Sequence, residues 1–353
     1  MKVHRRAALG VLGTLGATAW PSRSSQAQLP PAIPPTPIVP YPSAVRGRMT
    51  GAKAAVQALC AEGVPCVFGV PGAQNNDFWD ALKGHGVPYL LVSHEGSASV
   101  MADASARATG RVGVFSVVPG PGLTNAMTGI GEALHDSIPV VGLVTDILRG
   151  PNTPVGQVHG LANAALMRPV CKAVFEVTHQ SQIPGMIHQA HLIARSGEPG
   201  PVGVVIPYNF YTEVWDYDCP PPSPPAVAFD EQAYRRALGF LSDRGRRVGI
   251  YAGQGCLNAC AELMAVAEML QAPVATSVSG KGVIPDSHPL AVGWGYGAYG
   301  TRAAERAFKE VDLVLALGVR YSEVSTANYA VPTDPLLIHV DANPANLGRN
   351  LPT

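Results

Sequence analysis

The stretch Tyr89–Ala133, YLLVSHEGSASVMADASARATGRVGVFSVVPGPGLTNAMTGIGEA, decides how the rest of the chain is read. Tyr89 to Val92 is a short apolar run ending at Ser93-His94-Glu95. Ala98, Met101, Ala102 and Ala106 then recur at helical spacing, with the small Ser105 beside them, and predict a helix that turns this face to the core. Gly110 suits the left-handed residue that closes a helix, and Val112 to Val118 reads as a buried strand. Pro119-Gly120-Pro121-Gly122 breaks that strand and leads into a helix expected from about Ala126. Glu95 therefore stands at the C-terminal end of one strand, with a glycine turn at the end of the next. In open parallel sheets ligands bind at that edge. Taken singly, each part has a plainer reading. An acid in a helix's first turn complements the helix dipole, and glycine and proline mark ordinary corners.

The same alternation extends both ways. Thr50 can cap a helix through Ala54, Val56, Ala58 and Leu59, and Val64 to Val70 is a strand closed by Pro71-Gly72. Pro139 to Val144 is a strand ending at Thr145-Asp146; Lys172 to Val177 and Val202 to Ile206 are two more. Pro220 to Pro225, with only Ser223 interrupting the prolines, marks a boundary. Beyond it Arg247 to Ala252 is a strand followed by Gly253-Gln254-Gly255-Cys256-Leu257-Asn258. Ala261 to Leu270 is helical, and Val274 to Ser277, Val311 to Leu317 and Leu336 to Val340 are strands. Strands alternating with helices predict α/β architecture: two doubly wound parallel-sheet domains, 49–215 and 231–353, joined by a proline-rich linker, 216–230.

The chain has 353 residues, 47% of them hydrophobic and 14% charged, enough to bury two cores. Basic and acidic residues balance at 25 each, which argues against nucleic acid as a partner. Lys2, Arg5 and Arg6 precede an apolar run, Ala7 to Trp20, and a small-residue site, Ser25-Gln26-Ala27. Residues 1–27 are therefore expected to be a twin-arginine-like export signal, too short to span a membrane, and 28–48 a proline-rich tether. The expected location is periplasmic or otherwise exported; an ordinary secretory signal, or a misassigned start and a cytoplasmic protein, are the alternatives. The six cysteines form no paired Cys-x-x-Cys cluster, so no zinc site is expected of them; Cys256 and Cys260 could share a helix face but are read as buried free thiols.

The combined pattern resembles the thiamine-diphosphate-dependent enzymes, in particular their acetolactate synthase-like group. Fourteen residues separate His94-Glu95 from Gly110, followed by Gly120-Pro121-Gly122-Leu123-Thr124-Asn125 and Asp136-Ser137-Ile138-Pro139-Val140. The VFGVPG turn, the passage Gly200 to Asn209, Gly280-Lys281-Gly282, Asp286 to Leu290, Gly318 to Tyr321 and His339-Val340-Asp341 resemble the family too. The resemblance implies a pyrimidine-binding domain followed by a Rossmann-like central domain. It also implies a thiamine diphosphate site bordered by Pro71, Gly72, Pro119, Gly120, Pro121, Gly122 and Asn125. Within it the Glu95 carboxyl would hydrogen-bond a pyrimidine nitrogen and promote loss of the thiazolium proton, in the decarboxylation or carboligation of 2-oxo acids. Where acetolactate synthases carry a glutamine, this chain has His159, a candidate acid–base group or a loop histidine with no chemical role. Gly96 departs from the family in the same way, so the particular carboligation is left open.

The family holds the diphosphate and Mg²⁺ through a Gly-Asp-Gly segment, which this sequence does not contain. Magnesium ligands are accordingly expected outside this chain, and none is assigned within it. FAD, carried in the central domain by some members, is not expected: Asn258 stands at the third glycine position and Ser322-Glu323 where FAD-binding synthases carry an acidic pair. Since the cofactor bridges two subunits in this family, the resemblance implies a homodimer or higher oligomer, with a separate diphosphate-binding chain as a further partner. The alternative is a truncated, non-catalytic relative acting as a binding or structural subunit.

Overall fold

The computed structural model describes residues 44–150, 153–223, 229–297 and 299–353. The expected export signal, nearly all of the tether and Pro224-Pro225 of the linker lie outside the described residues. Among those described, no helix is long and apolar enough to cross a membrane.

The first part of the chain runs β1 (Val45–Thr50), α1 (Gly51–Ala61), β2 (Val67–Gly69), α2 (Asn76–His85), β3 (Tyr89–Leu91), α3 (Glu95–Thr109), β4 (Gly113–Val117), α4 (Pro121–His135), β5 (Val140–Asp146) and α5 (Asn163–Met167). It continues through β6 (Ala173–Glu176), α6 (Ile183–Arg195), β7 (Val202–Pro207), α7 (Tyr208–Thr212) and β8 (Val214–Cys219). The second part holds α8 (Glu231–Leu241), β9 (Val248–Ala252), α9 (Cys260–Leu270), β10 (Val274–Thr276), β11 (Ala291–Trp294), α10 (Arg302–Phe308), β12 (Leu313–Leu317) and β13 (Leu336–Val340).

Two doubly wound parallel sheets result, as the alternation requires. The first has the order β3-β2-β4-β5-β7-β6 and the second β11-β10-β9-β12-β13. Central strands β4, β5 and β7 are buried along their whole length, which is why each is a near-continuous apolar run. β1 and β8 form a separate antiparallel ribbon, Val45 opposite Cys219 and Thr50 opposite Val214. The Thr50 hydroxyl accepts the Lys53 N–H at 3.4 Å and caps α1, as its sequence position suggested.

The structure corrects two local expectations. α4 starts at Pro121, not near Ala126, because proline suits a helix's first position and Gly120, at φ +62° and ψ −114°, completes the turn in one residue. Met101 is 38% exposed, while Ser99 and Asp103 are buried with Ala98, Ala102 and Ala106. α3 packs both on the sheet and on α4, where a Cβ on Gly129 would lie 2.3 Å from the Ser99 hydroxyl, so its buried face rotates toward the smaller residues. Cys256 and Cys260 do not share a helix; Cys256 lies in a 3₁₀ turn and Cys260 opens α9.

Candidate active site at the first sheet edge

Strands are added to opposite sides of the first sheet on either side of the β2–β4 pair, which is parallel, and the loops leaving those strands meet there. After β2, the buried Asn75 folds back: its Oδ1 accepts the Gly72 N–H at 2.8 Å and its Nδ2 donates to the Val70 carbonyl at 3.4 Å. After β4, the side chain of Val118 fits between two glycines. A Cβ on Gly72 would lie 2.6 Å from Val118 Cγ1, and one on Gly122 2.7 Å from Cγ2. The two turns therefore close on one isopropyl group, with no room for a side chain at Gly72 or Gly122 unless Val118 moves.

Glu95 is brought to this junction by the start of α3. His94 caps the helix, its Nδ1 accepting the Gly96 N–H at 3.0 Å. Asn125, on the second turn of α4, donates its Nδ2 to Glu95 Oε2 at 2.9 Å. The other oxygen, Oε1, stands 3.7 Å from where a Gly122 Cβ would be. Of the residues read from the sequence, the structure thus joins Gly72 to Gly122 through Val118 and Glu95 to Asn125 by a hydrogen bond, with Pro119 and Gly120 buried and Pro71 and Pro121 exposed.

His159 meets the same turn differently. It is exposed, at φ +65°, and its backbone lies against Gly120, where a Cβ would be 2.8 Å from the His159 carbonyl oxygen. Asn163 and Asp146 were not singled out as site residues, yet they hold the turn. The Gly120 N–H donates to Asn163 Oδ1 at 2.9 Å, and Asn163 Nδ2 donates to Asp146 Oδ1 at 2.8 Å. Arg149 Nε donates to Asp146 Oδ2 at 3.0 Å. Asn75 had a local signal, an asparagine three residues after a turn glycine; Asn163 had none, being 43 residues from its partner in sequence. Among the described residues, no group of three or more His, Cys, Asp or Glu side chains is placed to hold a metal ion.

In the second sheet the order of strand addition switches sides at the parallel β9–β12 pair, and there the loops close on each other. A Cβ on Gly253 would lie 2.0 Å from the Gly318 carbonyl oxygen, and one on Gly255 2.7 Å from Gly318 Cα. The Gly255 N–H donates to the Gly318 carbonyl at 3.1 Å. Two side chains from these loops reach the first part of the chain. Gln254 Nε2 donates to the Asp136 carbonyl at 3.1 Å, and Arg320 bonds the His135 carbonyl and pairs with Glu198 at 3.3 Å. Glu198 also accepts from Ser137, Asn343 and Asn346 at 2.8, 2.7 and 3.2 Å. Burial works to raise its carboxyl pKa, but the hydrogen bonds from Asn343 and Ser137, the Arg320 charge and the Asn346 bond outweigh it and hold it below the usual range.

Two family models match the sequence: "Thiamine pyrophosphate enzyme, N-terminal TPP binding domain" over residues 49–164 and "Thiamine pyrophosphate enzyme, central domain" over 235–353. The chain belongs to the thiamine pyrophosphate enzymes. Its relatives in this family include a probable acetolactate synthase large subunit of Methanocaldococcus jannaschii, 36% identical over 318 residues. The acetolactate synthase large subunit of Haemophilus influenzae is 35% identical over 325 residues, and isozyme 3 of Escherichia coli 35% over 317. Each alignment covers 86% of this chain and 53%, 55% and 54% of the respective relative. The chain thus spans about half the length of the curated relatives it matches. The TPP-binding match contains Pro71, Gly72, Glu95, the Gly120 turn, Asn125 and His159. The chemistry of this edge fits the pyrimidine end of thiamine diphosphate: the Glu95 carboxylate is anchored through Oε2 by Asn125, at the meeting of two glycine turns inside the TPP-binding match.

Proposed function

We propose that this chain holds the pyrimidine end of thiamine diphosphate where β2, β4 and the start of α3 meet, and acts on 2-oxo acids once a diphosphate-binding segment completes the site. The Glu95–Asn125 pair beside the Gly72–Val118–Gly122 cradle carries this reading. Bound there, the cofactor supplies a thiazolium ring that takes up the electron pair released when a 2-oxo acid loses CO₂. Glu95 holds a proton at a pyrimidine nitrogen, and Asn125 fixes the carboxyl's orientation through Oε2. The family names of the relatives support acetolactate-type carboligation; His159 flanks the substrate side and sets which carbonyl compound is accepted.

Magnesium, in this reading, is held with the diphosphate by the completing segment. A homodimer is supported by the apolar strip on edge strand β3 and α3, where Leu90, Leu91 and Val100 are 47%, 50% and 53% exposed. Absence of FAD is supported by the closed junction at Gly253, Gly255 and Gly318. Export is supported by Arg5-Arg6 and the apolar run; residues 1–48 fused to a reporter active only after export should give cleaved, active reporter, and an uncleaved cytoplasmic one would refute it.

The deciding experiment is a thiamine diphosphate titration of the chain alone, then with a diphosphate-binding chain of the family added. Weak binding alone and tight binding with thiazolium proton exchange in the pair are expected. Tight magnesium-dependent binding by the unpaired chain would contradict the division of labour, and no binding in the pair would favour a non-catalytic relative.

A further inference from the structure

We propose that Asn163 is the positioning residue of this site: by gripping the Gly120 N–H it sets the start of α4 and, through Asn125, the orientation of Glu95. The inference rests on the proposed cofactor site for its functional consequence, but its geometry stands without a cofactor. Gly120 turns the chain from β4 into α4 in one residue, at φ +62° and ψ −114°, a region that side chains disfavour and that needs support from its surroundings. Two supports are present. The backbone of His159 lies against the Gly120 Cα, and the Gly120 N–H is buried and donates to Asn163 Oδ1.

Asn163 is 2% exposed, and both ends of its amide are engaged. A carboxamide can accept from a backbone N–H while donating to a carboxylate, which is what this position requires. An aspartate would set a second negative charge against Asp146, and an aliphatic residue would orphan both neighbours. Asp146 is 6% exposed at the end of β5 and has an oxygen for each partner, Oδ1 for Asn163 and Oδ2 for Arg149. The turn is thereby tied to a central strand rather than to a loop. From Gly120 the link runs along α4, five residues to Asn125, whose Nδ2 holds Glu95 Oε2.

The test uses the full chain without cofactor and reads two signals: backbone amide exchange at Gly120 and the side-chain amide resonance of Asn125. Asn163→Ala should speed Gly120 exchange about tenfold or more, the effect of losing one buried hydrogen bond, and shift the Asn125 resonance toward that of a solvated amide. The swapped pair, Asp146→Asn with Asn163→Asp, restores a donor facing an acceptor and should return Gly120 protection to near the wild-type level. A folded Asn163→Ala protein with unchanged Gly120 exchange and Asn125 resonance overturns the proposal. If Asn163→Ala fails to fold, the swapped pair decides: folded and protected supports the proposal, folded and unprotected refutes it. These signals need no thiamine diphosphate, so their failure is distinguishable from failure of the cofactor reading, which the titration with Glu95 intact reports.

Discussion

The two parallel sheets reach their switch points by the same topology and finish them in opposite ways. Between β2 and β4 the glycines at 72 and 122 press on a side chain, Val118, and leave a carboxylate standing beside them. Between β9 and β12 the glycines at 253 and 255 press on the backbone of Gly318, and the polar side chains nearby, Gln254 and Arg320, are spent on the first part of the chain. A switch point is where a crevice can form, but what the glycines face decides whether it stays available. A glycine against a side chain meets a group that can turn aside. Against a backbone, it meets one that cannot.

The largest effect expected from this difference is at Glu95. With a diphosphate-binding chain supplied, Glu95→Gln should keep the fold yet slow thiazolium proton exchange on the order of 10² or more, as loss of a positioned acid–base group does. Exchange at the wild-type rate would make Glu95 only the first residue of a helix, and both edges would then be structural. Next in size is Gly253→Ala, whose Cβ has a carbonyl oxygen 2.0 Å away. Overpacking of this kind costs about 1–3 kcal/mol, read from the urea midpoint. Gly122→Ala should cost less, since Val118 can shift, while weakening cofactor binding more; the reverse order of stabilities would break the comparison.

Smaller again is the link between the two parts. Arg320→Ala should cost about 1 kcal/mol, because Glu198 keeps three donors and the pair is only partly buried. The sign of its pH dependence follows from the lowered Glu198 carboxyl. The stabilisation is complete above the ordinary value of 4.5 and is lost as pH falls through the lower folded value. Glu198→Gln should therefore flatten the acid limb of a stability–pH curve and leave its slope near neutrality unchanged. At the small end, the purified protein should show no flavin band near stoichiometric level; such a band would mean that the second junction opens.

The alternation of strands and helices, the glycine turns and Glu95 were all legible in the sequence because each is encoded within a few neighbouring residues. Thr50 capped its helix and Gly110, at φ +67°, closed α3 for that reason. What was not legible depended on partners far along the chain. Met101 fits the helical stripe as well as Ser99 does, and only the close approach of α4 at Gly129 decides between them. Asn163 looked like any polar loop residue until β5 and the Gly120 turn were brought to either side of its amide. His159 was visible as a substitution in a familiar motif, but that its backbone rather than its ring meets Gly120 belongs to the fold.

The antiparallel ribbon of β1 and β8 has a mechanical consequence. Val45 faces Cys219 and Thr50 faces Val214, so the points where the chain enters and leaves the first sheet's part lie side by side at one end of the ribbon. Tension applied through Val45 and Cys219 would load the ribbon's hydrogen bonds one pair at a time, as in a zipper, and not all together in shear. The ribbon would yield at low force before the buried central strands felt the load, giving this half of the molecule a weak seam at its gateway and a stiff interior behind it.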